Sequence, residues 1–231
     1  MCGRFFLSKS NAEIARHFAL AAEPALAPHF NIAPSQAVPV VRERARAPGV
    51  RVLELRRWGF APGFAAARRA RPPINARAET VATSPLFREA FARRRGVVAA
   101  DGFYEWQHRG RSARPFAVRV QGGALFGMAA LWDRHGGADD AIGSCAIVTT
   151  EANARIAPIH DRMPLILAPD DYALWLDPSV TDPDRLLPLL RPCPAAWIDL
   201  HPVDRRVNDV REDDARLVEP ERDLFAQGVG S

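Results

Sequence analysis

The chain carries PFAVRV at residues 115–120, ALFGMAALW at residues 124–132 and IGSCAIVT at residues 142–149. Each segment is apolar and contains residues that favour strands, and turn residues separate each segment from the next. Connections this short join neighbouring antiparallel strands, whereas parallel strands need a long crossover. The centre of the fold is therefore predicted to be an antiparallel sheet.

Other strands and a few helices extend this prediction along the chain. Short helices between many strands indicate one α+β domain over residues 1–231, mostly antiparallel and curled towards a barrel, with about ten C-terminal residues as a flexible tail. The predicted strands are 2–8, 38–44, 50–58, 97–100, 165–168 and 197–200, with a turn at Pro48-Gly49. The predicted helices run from Ser10 to His17, from Ser84 to Gly96, from Glu151 to Ile156, from Asp170 to Leu176 and from Asp184 to Leu190.

Composition excludes several classes of protein. The net charge is +4, and Lys9 is the only lysine among 31 basic residues. Arginine binds phosphate in a bidentate manner, which favours nucleic acid as a partner, although biased base composition of the genome also explains many arginines. Three widely spaced cysteines suggest neither a disulfide framework nor a zinc site. With no long apolar segment and no signal peptide, we expect a soluble cytoplasmic protein without a metal or cofactor.

Cys2 is the first candidate reactive residue. Once Met1 is removed, Cys2 carries a free α-amine and a thiol on adjacent carbons. The ordinary pKa values of these groups are about 7.7–8.0 and about 8.5, so both are partly nucleophilic at neutral pH. A 1,2-aminothiol condenses with an aldehyde to a five-membered thiazolidine. The alternative is that Cys2 is a buried terminal residue, since free cysteine behaves as a small hydrophobe.

One extended segment and one loop supply further candidates. Asn75, Arg77 and Glu79 would lie on one face of an extended chain, which suggests a polar site, although a solvated strand face has the same pattern. The loop from Trp58 to Phe64 is rich in aromatic and turn residues, and is either a packed corner or a surface that stacks on a ligand.

Acid–base candidates lie in two other segments. Glu105 stands among aromatic residues, which remove water from a carboxylate and raise its pKa, although it could instead pair with an arginine. His160 and Arg162 lie two residues apart between prolines, and Pro164 favours an extended chain just before it, so both side chains could point the same way.

Six motifs are spread along nearly the whole chain. They are MCGRF at residues 1–5, FNIAP at 30–34, WGFAPG at 58–63, INARAET at 74–80, GFYEW at 102–106 and IHDRMP at 159–164. Together and in this order they resemble the SRAP (SOS-response-associated peptidase) family.

The resemblance implies a mostly β, barrel-like fold with flanking helices. It also implies a protein that shields abasic sites in single-stranded DNA, including junctions with duplex, by covalent crosslinking. Cys2 would form the thiazolidine, and the other residues matching catalytic positions are Asn75, Glu105 and His160. We expect Arg77 and Arg162 to hold phosphates, with Arg4, Trp58 and Phe64 as further DNA contacts. Relatives often have Trp where this chain has Phe64, so base stacking there could be weaker.

The expected mechanism begins with DNA binding by a monomer. His160 then opens the sugar ring to its aldehyde, Glu105 transfers protons while the Cys2 amine forms a Schiff base, and the thiol closes the ring. Asn75 would orient the N-terminus or the sugar. A Schiff base also permits weak strand cleavage. Two alternatives remain: a cysteine peptidase with a Cys2–His160 dyad, for which Met1 itself would be a sufficient substrate, and a non-covalent binder of single-stranded or modified DNA.

Overall fold

The structure is a computed structural model that describes residues 3–44, 47–62, 72–110, 112–134 and 142–221. Within these ranges it contains 13 strands and four α-helices, joined by turns and short 3-10 helices. The strands are β1 (Phe5–Leu7), β2 (His29–Ile32), β3 (Ala37–Arg44), β4 (Ala47–Trp58), β5 (Asn75–Arg77), β6 (Arg95–Ala100), β7 (Gly102–Arg109), β8 (Ser112–Val120), β9 (Phe126–Asp133), β10 (Ser144–Glu151), β11 (Arg162–Pro164), β12 (Ile166–Leu167) and β13 (Ile198–Pro202). The helices are α1 (Asn11–Phe18), α2 (Arg88–Arg93), α3 (Tyr172–Leu176) and α4 (Pro183–Leu186).

The first sheet has five strands in the order β13-β8-β7-β1-β2, all paired antiparallel. Phe5 of β1 pairs with Phe103 of β7, and Phe6 pairs with Gly102. Gly102 is required here because a Cβ atom at this position would lie 1.8 Å from the ring of Phe6. This close approach fixes the N-terminal strand against β7.

The second sheet has eight strands, and five of them are paired in a ring. The pairings run from β10 to β4, β3, β6 and β9, and β9 pairs with β10 again. Most pairs are antiparallel, whereas β10 runs parallel to β4 and β5. β10 thus borders β5 and β11, which carry several of the predicted site residues.

A common apolar core joins the two sheets. Phe5 and Phe103 of the first sheet belong to the same buried cluster as Trp58 and Leu131 of the second. The prediction of one mostly antiparallel β domain with few helices is confirmed. The predicted C-terminal tail falls at residues 222–231, outside the described ranges. None of the described helices has the length and apolar character to cross a membrane.

Local sequence signals predicted α1 well. Ser10 accepts a hydrogen bond from the backbone N–H of Glu13, and the Glu13 carboxylate accepts one from the backbone N–H of Ser10, which is a complete capping box. The helix ends at Phe18, one residue beyond the prediction.

Three local predictions are wrong, two of them because a strand continues through the predicted turn or helix. Pro48-Gly49 lies inside β4, and the connection after β3 falls at residues 45–46, outside the described ranges. Helix α2 begins only at Arg88 and has no side-chain cap. The helix predicted from Glu151 is absent among the described residues, because β10 continues through Glu151 and turns follow.

Arg95, which falls within the helix predicted from Ser84 to Gly96, is instead buried in β6 with 3% of its surface exposed. Its guanidinium donates hydrogen bonds to five backbone carbonyls, of Phe91, Ala92, Trp175, Asp177 and Val180. Burial lowers its pKa to about 10, and the group remains charged at neutral pH. It ties α2 and α3 to the sheet.

Candidate active site

The described chain begins at Gly3, next to the strand that carries Glu105. Cys2 lies outside the described residues. The backbone N–H of Tyr104 donates to the carbonyl of Arg4 at 2.9 Å, in register with the Phe5–Phe103 pair. Continued by one residue, this antiparallel register brings Gly3 alongside Glu105. The N-terminus and Glu105 therefore belong to the same part of the first sheet.

Glu105 is the most deeply buried of the described acid–base candidates. Only 1% of its surface is exposed, and the preceding residues Phe103 and Tyr104 are fully buried. Burial raises the pKa of Glu105 to about 7, and the carboxylate of Asp161 contributes to the same direction. A carboxyl with this pKa exists in both protonation states near neutral pH, which suits it to both giving and taking a proton.

Asn75 and Arg77 lie at the two ends of β5. Asn75 pairs with Ile147 of β10, and Arg77 pairs with Thr149. The side chain of Asn75 is partly buried, whereas Arg77 is exposed. Glu79 lies in the turn after β5, so the predicted extended alignment of three side chains holds only as far as Arg77.

His160 is partly buried in the segment just before β11. Its Nδ1 atom accepts a hydrogen bond from the backbone N–H of Arg162 at 2.9 Å and also lies 2.9 Å from Oδ1 of Asp161. Burial lowers the pKa of His160, although Asp161 opposes this effect. The imidazole is therefore mainly neutral at neutral pH.

Arg162 begins β11 and pairs with Glu151 at the end of β10. Its Nη1 atom donates to Oε1 of Glu79 at 2.7 Å, and Nη2 donates to Oε2 of Glu79 at 3.0 Å and to the carbonyl of Thr149 at 2.7 Å. Because Thr149 also pairs with Arg77, the two arginines flank the same end of β10.

A side chain from β7 joins the first sheet to the His160 segment. Nε2 of Gln107 donates to the carbonyl of Pro158 at 3.0 Å. Together with the electrostatic effect of Asp161 on Glu105, this contact places Glu105 and His160 in the same region, where the two sheets meet.

Trp58, predicted as a DNA contact, lies in the apolar core. Trp58 is fully buried, its Nε1 donates to the carbonyl of Ile74 at 2.9 Å, and its ring packs edge-on against Phe5. It cannot stack on a base in this position. The role predicted for Trp58 as a DNA contact is therefore corrected: it is a core residue. The packed-corner alternative fits this residue. Phe64 lies outside the described residues.

Arg4 is directed into the protein. Its Nη1 donates to Oδ1 of Asn31 at 2.6 Å and to the carbonyl of Val207 at 2.8 Å, and its guanidinium lies 5.8 Å from the centre of the Trp106 ring. Burial lowers its pKa. These contacts give Arg4 a structural role beside the N-terminus, and its role as a DNA contact stays a prediction.

Asn31 is a residue whose role the sequence did not reveal. It is fully buried, and its Nδ2 donates to the carbonyls of Asp209 and Glu212 at 3.0 and 2.8 Å. With Arg4 it ties β1 and β2 to the C-terminal segment. The one signal was an amide within an otherwise apolar strand, since such a group is buried only with hydrogen-bond partners.

The described part of the chain holds no group of three or more His, Cys, Asp or Glu side chains placed to bind a metal ion. The described side chains suited to proton exchange in this region are Glu105 and His160, and Arg77 and Arg162 flank the nearby end of β10.

A family model described as "SOS response associated peptidase (SRAP)" matches residues 1–210. Abasic site processing protein YoaM of Bacillus subtilis is 34% identical over 97% of this chain and 100% of its own length. YedK of Escherichia coli, also named an abasic site processing protein, is 33% identical over 95% of this chain and 100% of its own. The protein of that name from Gallus gallus, HMCES, is 29% identical over 84% of this chain and 66% of its own.

Solved structures share the fold. A Bacteroides thetaiotaomicron protein superimposes with a TM-score of 0.81 at 21% identity, over 96% of this chain and all of the other. A Bordetella bronchiseptica protein gives a TM-score of 0.74 at 27% identity, over 88% of this chain and all of the other.

Proposed function

Because the chain belongs to the SOS response associated peptidase (SRAP) family, we propose that it processes abasic sites in DNA by crosslinking to them through Cys2. Relatives that match nearly the whole chain are named abasic site processing proteins. The single structural observation that carries the proposal is the buried Glu105, with its pKa raised to about 7 beside the N-terminal strand. Cys2 is bonded directly to Gly3, so its reach is limited to this neighbourhood.

The proposed reaction has two covalent steps. The Cys2 amine adds to the aldehyde of the opened sugar, and loss of water gives a Schiff base. The thiol then adds across the carbon–nitrogen double bond, with its proton passing to nitrogen, and closes the thiazolidine. Glu105 accepts a proton from the amine and donates one to the departing hydroxyl, which requires the pKa near neutrality that burial gives it.

His160 is proposed to open the sugar ring before the covalent steps. Since Nδ1 accepts the N–H of Arg162, the neutral imidazole carries its proton on Nε2. Nε2 can therefore donate a hydrogen bond to a sugar oxygen and stabilise the charge that develops there as the ring opens. Asn75 is proposed to orient the N-terminus or the sugar through its amide.

Phosphate binding is assigned to Arg77 and Arg162. The support is their position on either side of Thr149 and the exposure of Arg77. Contacts to phosphate hold the strand in register without reading its sequence.

The partner is proposed to be single-stranded DNA with abasic sites, including junctions with duplex, bound by a monomer in the cytoplasm or at the nucleoid. The Schiff base also supports a weak lyase activity by β-elimination.

A denaturing gel tests this function. The purified protein is incubated with a labelled single strand that contains one abasic site, and with two controls: the intact strand and a strand with a tetrahydrofuran analogue that has no aldehyde form. We expect a slowly migrating product only with the abasic site. If all three strands bind equally under native conditions and none survives denaturation, the protein is a non-covalent binder and the proposal fails.

A further inference from the structure

The side chain of Glu79 occupies the donors of Arg162 that a phosphate would use. The two Nη atoms of Arg162 carry four hydrogens. Two donate to the carboxylate oxygens of Glu79, at 2.7 and 3.0 Å, and a third donates to the carbonyl of Thr149 at 2.7 Å. Paired donation of this kind is also how arginine binds phosphate. A phosphate can therefore take at most one Nη hydrogen bond while Glu79 remains in place.

The accessible surface of this ion pair lies mainly on the carboxylate. The side chain of Glu79 is 43% exposed, whereas that of Arg162 is 15% exposed. Glu79 lies in a turn, whereas Arg162 is held in β11 by pairing with β10. Displacement of Glu79 thus requires movement of an exposed side chain only, and leaves the strand that carries Arg162 in place.

The charge of Glu79 also acts on Arg77, the second proposed phosphate-binding residue. Its pKa is lowered, first by the hydrogen bonds from Arg162 and also by the charges of Arg162 and Arg77, so it is ionised at neutral pH. A negative charge between two arginines repels phosphate at short range. It offsets part of the attraction that both arginines offer to a DNA backbone.

From these contacts we propose that Glu79 is an intramolecular competitor for Arg162, which a DNA phosphate must displace, and that it weakens binding to any strand that the protein does not crosslink. This inference rests on the proposed phosphate-binding role of Arg162. In the free protein Glu79 keeps the guanidinium oriented and neutralised. On DNA, Arg162 exchanges a carboxylate for a phosphate, so the net gain from this contact is smaller than an arginine without a competing carboxylate would give. Retention on DNA then depends on the covalent bond at the lesion.

The test is a double-mutant cycle on affinity for an intact oligothymidine strand, which offers phosphates but no aldehyde. The variants are Glu79→Gln, Arg162→Ala and the two combined. Glu79→Gln is expected to raise affinity about fivefold, the scale of a partly exposed ion pair. In the Arg162→Ala background the same change is expected to have less than a twofold effect, because the competition no longer exists.

Glu151→Gln is the matched control. Glu151 is exposed and pairs through its backbone with Arg162, so this change removes a nearby negative charge from the same strand pair. We expect it to raise affinity less than twofold. Native-like thermal unfolding of each variant shows that the comparison is between folded proteins.

The outcomes separate this inference from the proposed function. If Arg162→Ala leaves affinity unchanged, the phosphate role of Arg162 fails and the inference falls with it. If Arg162→Ala weakens binding but Glu79→Gln does not strengthen it, the competition is overturned while the phosphate role stands. An equal gain from Glu79→Gln in both backgrounds also overturns it, because the effect is then general charge repulsion.

Discussion

The backbone N–H of Arg162 donates to Nδ1 of His160 at 2.9 Å. This contact ties the tautomer of the proposed ring-opening residue to the strand that presents a proposed phosphate-binding residue. A neutral imidazole that accepts at Nδ1 must carry hydrogen at Nε2. Protonation of Nδ1 would break this contact and favour the carboxylate of Asp161, 2.9 Å away. While Nδ1 accepts this N–H, His160 presents Nε2–H as a hydrogen-bond donor, which can stabilise the negative charge that develops on the ring oxygen as the hemiacetal opens.

The first prediction assigns separate steps to His160 and Glu105. His160→Ala should slow crosslinking to an abasic site by about 10²–10⁴-fold, the range for general acid–base catalysis. A strand that carries an open aldehyde in place of the sugar needs no ring opening, so it should restore most of the rate. Glu105→Gln should gain little from the same substrate, because its defect lies in condensation. Single-turnover rates measure both variants on both strands. If the open-aldehyde strand rescues Glu105→Gln but not His160→Ala, Glu105 acts in ring opening and His160 in condensation.

A second prediction concerns pH and stability through Glu105. Folding raises the pKa of this carboxyl to about 7, so the folded protein favours the protonated form. The stability that this carboxyl contributes is fully present below its unfolded pKa and is lost as the pH rises from there through 7. Between about pH 5 and 8 the free energy of unfolding of the parent should fall, relative to that of Glu105→Gln, on the order of 2 kcal/mol. Urea unfolding at both pH values checks this. Parallel pH dependence in the two proteins would show that Glu105 has an ordinary pKa.

The third prediction concerns the salt dependence of DNA binding. Arg77→Ala should weaken binding to a single strand and reduce the slope of log K against log salt by roughly 0.7 for the phosphate contact that it loses. The crosslinking rate at saturating DNA should change less than the affinity. Arg88→Ala, which removes an exposed arginine of α2, is the control. If the slope for Arg77→Ala equals that of this control, Arg77 does not contact a DNA phosphate.

A fourth prediction tests the structural role of Arg4 and Asn31. Asn31→Ala leaves the part-buried carbonyls of Asp209 and Glu212 without this donor and removes one of the acceptors of Arg4, and it should cost about 1–3 kcal/mol of stability. Arg4→Ala should likewise lower the Tm but leave the salt slope of DNA binding unchanged. Thermal unfolding and salt titrations measure the two effects. A reduced slope in Arg4→Ala would show that Arg4 reaches phosphate after all.

Sequence predicted features that depend on neighbouring residues, and missed those that depend on distant ones. The capping box of α1 follows from Ser10 and Glu13 alone. The end of β10 at Glu151 depends on pairing with β11, and the burial of Trp58 depends on its contact with Phe5, more than fifty residues earlier. Neither is visible in a local pattern.

The candidate site shows the same division. The desolvation of Glu105 was predicted from adjacent aromatic residues, and the raised pKa of this carboxyl in the folded protein agrees with that prediction. The bidentate contact between Glu79 and Arg162 joins residues 83 positions apart, and no local pattern indicates it. Likewise, Arg4 follows Gly3 in a motif that suggested DNA binding, but its partner Asn31 comes from the next strand.

The most direct test of the account is the chemistry of Cys2. Protein lacking Met1 is crosslinked to an abasic strand, and the intact mass and the attached residue are determined by mass spectrometry. We predict a product with the mass of protein plus DNA less one water, attached at Cys2 and stable without borohydride. Cys2→Ser should give only a Schiff base that borohydride must trap, and blocking the α-amine should abolish the adduct. A stable adduct formed without borohydride by either modified protein would contradict the thiazolidine mechanism. If the amine-blocked protein forms such an adduct and Cys2→Ser does not, the thiol alone is the nucleophile.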